Sequence, residues 1–322
     1  MSGNFIFYFI LSIIISILKA SEVSKNEDDS NQSNINSNSN DASNKRKLQS
    51  FEPIRIGKDY LSNFIRLVDP LTEYDIVNES IEKALNYIQE LVSVRRLTSP
   101  ITILQSDNQD GLLNSFINNQ YHADLVIFFN ANYKMASDED ISTINIIRKL
   151  DDNNNPNNGR PIIALLNYNL RFLNVYLKGA TDEAKKKVLT FRFMHEFFHF
   201  LGFERSILSE KRILDTTTIR RVGSISKSKS IAKGRIMLQK ARNYFDCQSL
   251  VGLEFEADEQ FLHWDNRLLL GDIMTSNVYY PDQVISEFTL ALLEDIGWYK
   301  VNYYTGGLMR FGKHKGCNFI SY

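Results

Sequence analysis

A short motif just past the middle of the chain constrains its fold and chemistry more than any other feature. His195, Glu196 and His199 form an HExxH pattern, and Gly202 follows the second histidine by three residues. On an α-helix, positions i and i+4 lie on one face, so both imidazoles can reach a single metal ion. The motif therefore predicts two of the ligands of a zinc site, with Glu196 beside them.

The helix that carries this motif has clear boundary signals. Thr181 is a suitable N-cap residue, and the acidic pair Asp182 and Glu183 suits the positive end of a helix. Gly202 suits a C-terminal position that requires positive φ. We therefore predict a long helix that begins near Thr181 and places the histidines in its last two turns.

A catalytic zinc site needs a third protein ligand, and the residues alone leave two candidates open. The compact pattern HExxHxxGxxH would place this ligand at Arg205, which cannot bind a cation. One candidate is a glutamate ligand from the ExxxD spacing of Glu254 and Asp258. The other is His263, followed eleven residues later by Met274, which is either an apolar floor beneath the metal or an ordinary core methionine.

Composition bounds the class of protein. The chain has 322 residues, 43% of them hydrophobic, which is enough to bury a core, and we expect that core to be split over two lobes. A net charge of −1 supplies no long-range field for nucleic acid, and we exclude that partner.

The N-terminal residues have the composition of a targeting segment. Residues 5–18 are apolar and uncharged, but this run is shorter than a membrane-spanning helix, which needs about 20 residues. Ala20 follows as a plausible cleavage point. We predict a signal peptide at 1–20, with an uncleaved anchor as the alternative, and entry into the secretory pathway. Residues 21–50 are rich in Asn, Ser, Asp and Lys and predict a disordered linker or pro-segment.

The remaining chain predicts an α+β fold. Apolar periodicity indicates a helix at 75–94 and a second one at 286–295, capped by Ser286 and stopped by Gly297. Residues 204–252 are polar and basic and predict a surface excursion. Strands are expected at 53–56, 101–104, 123–129 and 161–167.

The sequence resembles the leishmanolysin family of metzincin zinc proteases (peptidase family M8). The resemblance is carried by HEFFHFLGF, a long insertion, HWDNRLLLGDIMT and SEFTLALLEDIGWYKVNYYTGGLMRFGKHKGC. It covers roughly residues 51–322 and is most specific from Phe193 onward. In that family the third zinc histidine follows a long insertion and precedes a Met-turn, and here 64 residues lead from His199 to His263.

The resemblance implies a role for each residue of the site. Glu196 would be the general base and acid, and Met274 the Met-turn residue. The two cysteines, Cys247 and Cys317, already suggest one disulfide or else two free thiols, and the resemblance implies that they pair. One zinc ion would be bound by three histidines, His195, His199 and His263.

The resemblance also implies an architecture and a function. A metzincin-type zincin would have an N-terminal lobe of twisted sheet and long active-site helix at 51–203. A smaller, mainly irregular or helical lobe with the Met-turn would follow at 204–322. The expected function is endopeptidase hydrolysis by metal-activated water, and the alternative is a cell-surface adhesion protein with little proteolysis. We expect an extracellular or cell-surface monomer that acts on proteins or peptides, with membrane association left open.

Overall fold

The computed structural model of the protein describes residues 50–321, except 69–72, 109, 133–141, 170, 172–176, 220–226, 257–259 and 277–282. The predicted signal peptide at 1–20, nearly all of the predicted disordered segment at 21–50, and Asp258 lie outside the described residues. None of the helices in the described part of the chain is long and apolar enough to span a membrane.

The first part of the chain is built mainly from strands. Its helices are α1 (Ser62–Val68) and α2 (Glu73–Leu91), and short 3₁₀ turns lie at Gln105–Asp107 and Asn114–Phe116. Its strands are β1 (Phe51–Pro53), β2 (Ile56–Tyr60), β3 (Val92–Arg95), β4 (Ile101–Thr102), β5 (Gln120–Tyr121), β6 (Leu125–Asn132), β7 (Ser142–Lys149) and β8 (Pro161–Asn169).

The second part of the chain is mixed. Its strands are β9 (Leu214–Ile219), β10 (Lys227–Ala232), β11 (Leu253–Glu254) and β12 (Tyr299–Val301), with a 3₁₀ turn at Tyr303–Thr305. Its helices are α3 (Asp182–Leu201), α4 (Arg205–Glu210), α5 (Arg235–Phe245), α6 (Asn266–Leu269), α7 (Glu287–Ile296) and α8 (Gly316–Ser321). Helices and strands in both parts confirm the α+β class.

The largest sheet in the described part of the chain has four strands, in the order β2-β6-β8-β7. Strands β2, β6 and β8 are parallel, and β7 pairs antiparallel with β8. Both faces of β6 are covered, since Ile127 and Phe129 belong to the main core while Val126 and Phe128 belong to a second cluster. Burial on both faces explains why β6 reads as one continuous apolar run.

Aromatic contacts fix the long helix α3 on this sheet. The rings of Phe193 and Phe197 pack edge-on against Phe129, with centroids 6.4 and 6.3 Å away. Tyr168 of β8 also contacts Phe193, at 5.8 Å. These contacts hold one face of α3 on the sheet, and His195 and His199 project from a different face.

Two sequence predictions are wrong. The strand predicted at 53–56 is interrupted between β1 and β2. There the Ile54 N–H donates to the Val92 carbonyl, and the Arg55 N–H donates to the Asp124 carboxylate. Residues 204–252 are not a surface excursion. They contain α4, β9, β10 and α5, and α5 buries an apolar face made of Met237, Ala241, Tyr244 and Phe245.

Residues 204–322, which are predicted to be mainly irregular or helical, also contain strands. Strands β9, β10 and β11 form a three-stranded sheet, and β12 pairs with β3 in the sheet β1-β3-β12. The chain after α3 therefore returns to the N-terminal part and completes one of its sheets. The division into lobes at residue 203 stays a prediction.

Candidate metal centre

The ends of helix α3 follow the sequence signals. The Thr181 side chain accepts a hydrogen bond from the Ala184 N–H, and the helix ends at Gly202 with φ 145°. The Gly202 N–H donates to the carbonyls of Phe198 and His199. The chain then turns at once into Phe203, so the last helical turn lies next to the residues that follow it.

The three histidines of the sequence prediction meet at one point. The Nε2 atoms of His195 and His199 lie 3.1 Å apart, and the Nε2 of His263 lies 3.1 and 3.2 Å from them. His195 and His199 are each only 2% exposed. Among the described residues this is the cluster of His, Cys, Asp or Glu side chains whose atoms could hold a metal ion.

Backbone carbonyls fix the protonation of two of these rings. Nδ1 of His195 lies 2.6 Å from the Ile273 carbonyl oxygen, and Nδ1 of His199 lies 3.0 Å from that of Phe203. A carbonyl can only accept, so each Nδ1 carries the proton of the neutral ring. Each Nε2 then presents its lone pair to the centre of the cluster, where a cation relieves the mutual repulsion.

The geometry of the cluster fits zinc. Three nitrogens bound at about 2.0–2.1 Å in tetrahedral geometry lie about 3.3 Å from one another. The observed separations of 3.1–3.2 Å are close to this value. Neutral imidazole donating its other N–H to a carbonyl is the usual arrangement of a zinc-binding histidine.

Burial keeps the rings in the form that binds metals. Desolvation lowers the pKa of His195 and His199 well below the usual value, and the nearby positive charge of Arg192 acts in the same direction. Desolvation and Arg192 also lower the pKa of His263, to about 4. At neutral pH all three imidazoles are therefore uncharged and available as ligands.

Short hydrogen bonds tie the segment with His263 to the end of α3. The Phe203 carbonyl that accepts from His199 also accepts the Leu262 N–H at 3.1 Å. The His263 carbonyl accepts the Glu256 N–H at 2.9 Å, and the Trp264 N–H donates to the Met274 carbonyl at 2.8 Å. The third histidine thus arrives from a distant part of the sequence on a backbone bonded to both neighbouring segments.

The other residues singled out in the sequence take separate places. Glu196 is 7% exposed, and Met274 is fully buried in the turn that contains Ile273. The Glu254 carboxylate lies 2.7 Å from the Arg267 guanidinium. Glu254 is therefore engaged in an ion pair rather than in the histidine cluster.

The orienting carbonyls of Phe203 and Ile273 were missed from the sequence. A backbone carbonyl is present at every residue, so no residue type marks the two that accept from histidine. Gly202 was the available signal for Phe203, since a sharp helix end brings the next carbonyl back toward the last turn.

Cys247 and Cys317 form a disulfide, as predicted. Cys247 follows α5 and Cys317 lies in α8, 70 residues further along the chain. Closing a loop of this length stabilises a fold by about 4 kcal/mol on the chain-entropy model. The bond fastens the last helix to the middle of residues 204–322.

The chain is similar in sequence to several known proteins. A leishmanolysin-like peptidase of Drosophila pseudoobscura pseudoobscura is 30% identical over 164 residues, which cover 39% of this chain and 24% of that protein. One of Caenorhabditis elegans is 38% identical over 85 residues, covering 25% and 13%. Leishmanolysin of Leishmania chagasi is 27% identical over 175 residues, covering 51% and 26%.

The relatives match over a short part of their own length, whereas the family model matches most of this chain. The matched stretches cover about a quarter or less of the length of these curated relatives. The model of the leishmanolysin family (peptidase M8), by contrast, matches residues 68–322, which is most of the chain and includes all three histidines. This protein therefore belongs to the leishmanolysin family.

Proposed function

We propose that this protein is a zinc-dependent metalloendopeptidase. His195, His199 and His263 would bind one zinc ion, and Glu196 would be the general base and acid. The observation that supports this most strongly is the convergence of three Nε2 atoms within 3.1–3.2 Å. Membership of a family of metallopeptidases supports the same function.

The number of proposed ligands is that of a catalytic site. Structural zinc sites use four protein ligands, whereas catalytic ones use three and keep a position open for water or substrate. A bound zinc ion would supply Lewis acidity, which polarises the scissile carbonyl and acidifies the attacking water.

Glu196 would carry the proton in this reaction. It is adjacent to His195 in the helix and is 7% exposed, so it has little access to bulk water. A carboxylate oxygen would accept the proton of the attacking water and then deliver it to the leaving amine. Such proton transfer typically contributes about 10²–10⁴-fold in rate.

A substrate peptide would bind along β7. This strand lies at the edge of the four-stranded sheet and contacts α3, the helix that carries His195 and His199. An extended peptide can add to such an edge through main-chain hydrogen bonds, which suits proteins or peptides of varied sequence. Met274 would form the apolar floor of the metal site.

The proposed location of the protein rests on its N-terminal sequence. Residues 1–20 would direct it into the secretory pathway, and the mature protein would act as a monomer outside the cell or at its surface. A disulfide between Cys247 and Cys317 suits an oxidising compartment.

Proteolysis with a matched variant tests this function. The purified chain should cleave a denatured protein substrate, lose cleavage on treatment with a chelator and regain it with zinc. Glu196→Ala should retain zinc but lose at least about 10²-fold in kcat. Zinc binding without cleavage in the wild-type chain would contradict the proposal and favour an adhesion protein.

A further inference from the structure

A buried carboxylate lies behind the histidine cluster. Asp272 is fully buried, two residues before Met274. Its Oδ1 accepts the Met274 N–H at 2.6 Å, and its Oδ2 accepts the Ser286 N–H at 3.1 Å. The Thr289 hydroxyl lies 2.9 Å from both oxygens. The described contacts of Asp272 are therefore donors, which suits an ionised carboxylate.

These bonds hold the turn that faces His195. The Asp272 N–H donates to the Leu269 carbonyl at 2.9 Å, and the Ile273 N–H donates to the Val284 carbonyl at 2.8 Å. With the Met274 N–H bound by Asp272, three successive backbone N–H groups are fixed. The carbonyl between the last two is that of Ile273, which accepts Nδ1–H of His195 at 2.6 Å.

The same carboxylate reaches the segment that carries His263. The indole Nε1–H of Trp264 donates to the Thr289 oxygen at 2.9 Å, so the Thr289 hydroxyl proton is left for Asp272. Trp264 is adjacent to His263, and its own N–H donates to the Met274 carbonyl at 2.8 Å. Asp272 is thus linked to His195 through the turn that carries the Ile273 carbonyl, and to the neighbour of His263 through Thr289.

We infer that Asp272 is a positioning residue of the metal site. It fixes the Ile273 carbonyl that orients His195 and, through Thr289 and Trp264, the backbone segment that carries His263. This role rests on the proposed function, because it concerns the ligands of the proposed zinc ion. The positioning role explains why an ionisable residue lies in the core here, although an apolar residue would avoid the cost of desolvating a carboxylate.

Metal affinity measured at pH 7.5 tests this role. Zinc dissociation constants are obtained by competition with a chromophoric chelator, and the visible spectrum of the cobalt-substituted protein reports ligand geometry. Asp272→Asn should weaken zinc binding by about 10–100-fold, the usual effect of removing a group that orients a metal ligand. Its cobalt spectrum should also differ from that of the wild-type chain.

Asp295 provides a matched control. Its carboxylate also accepts two backbone N–H groups, those of Ile236 and Met237 at 2.8 and 2.9 Å, where it caps α5. Asp295→Asn should lower the melting temperature of the metal-free protein and leave the zinc dissociation constant within about twofold. If Asp272→Asn acted only through a loss of fold stability, Asp272→Asn and Asp295→Asn would weaken zinc binding equally. That result would overturn the role of Asp272.

Thr289 offers a second, milder test that keeps the buried charge. Thr289→Val preserves volume but removes the hydroxyl, and it should weaken zinc binding by about 2–10-fold, the value of one net hydrogen bond. Thr289→Ser should restore the affinity. Wild-type zinc affinity in both Thr289→Val and Asp272→Asn would refute the positioning role alone, whereas a wild-type chain that binds no zinc would refute the proposed function.

Discussion

Gly202→Ala tests how the helix with the HExxH motif is joined to the rest of the fold. Gly202 has φ 145°, and an added Cβ would lie 2.4 Å from Cδ1 of Ile296, which is itself buried. Backbone strain in this region costs about 1–3 kcal/mol, and overpacking a core costs about 1–3 kcal/mol. The variant should therefore lower the free energy of unfolding by about 2–6 kcal/mol.

Gly297→Ala separates the two contributions. Gly297 also ends a helix, with φ 87°, but no atom of the described residues lies within 4 Å of its added Cβ. Gly297→Ala should therefore lower the free energy of unfolding only through backbone strain, by about 1–2 kcal/mol. Urea unfolding of the metal-free proteins gives both values. Equal destabilisation by the two variants would refute the claim that α3 ends in close contact with Ile296.

Three further predictions concern residues outside the histidine cluster. Glu254→Ala should leave zinc binding unchanged and lower stability by about 1–3 kcal/mol, because its arginine partner is left without the carboxylate; lost zinc would restore Glu254 as a ligand. Cys317→Ser should lower the free energy of unfolding by about 4 kcal/mol under oxidising conditions, and no difference from the wild type there would contradict a stabilising disulfide. Burial raises the pKa of Asp124, but hydrogen bonds from Arg55 and from the Leu97 N–H together outweigh it and lower that pKa below 3.8. The stabilisation from the Asp124 carboxylate is then present above pH 3.8 and is lost as pH falls through its lower pKa in the folded state. Urea titrations should therefore show the difference in unfolding free energy between the wild type and Asp124→Asn narrowing below about pH 4.

Much of the candidate site could be predicted from local sequence. The i, i+4 spacing of His195 and His199 places both rings on one helix face, and Thr181 and Gly202 mark the helix ends. His263 is different, because no local pattern joins it to a helix 64 residues earlier. It was identified through resemblance to a family, and the backbone bond from Leu262 to Phe203 is what brings it to the cluster.

The parts that escaped prediction depend on contacts distant in sequence. Strand β10 reads as alternating serine and lysine, with few apolar side chains, and forms because β9 and β11 supply its hydrogen-bond partners. The pairing of β12 with β3 joins residues about 200 positions apart, and such pairing leaves no periodic signal in either strand. Helix α5 was overlooked because its net composition is basic, although its apolar residues recur with helical spacing.

The zinc content of the purified chain tests the central claim most directly. The protein is loaded with zinc, dialysed against metal-free buffer and analysed by elemental mass spectrometry, with His263→Ala treated in parallel. The wild-type chain should retain one zinc ion per molecule, and His263→Ala should retain none. A wild-type chain without zinc, or a His263→Ala variant that holds as much as the wild type, would contradict a metal centre built from these three histidines.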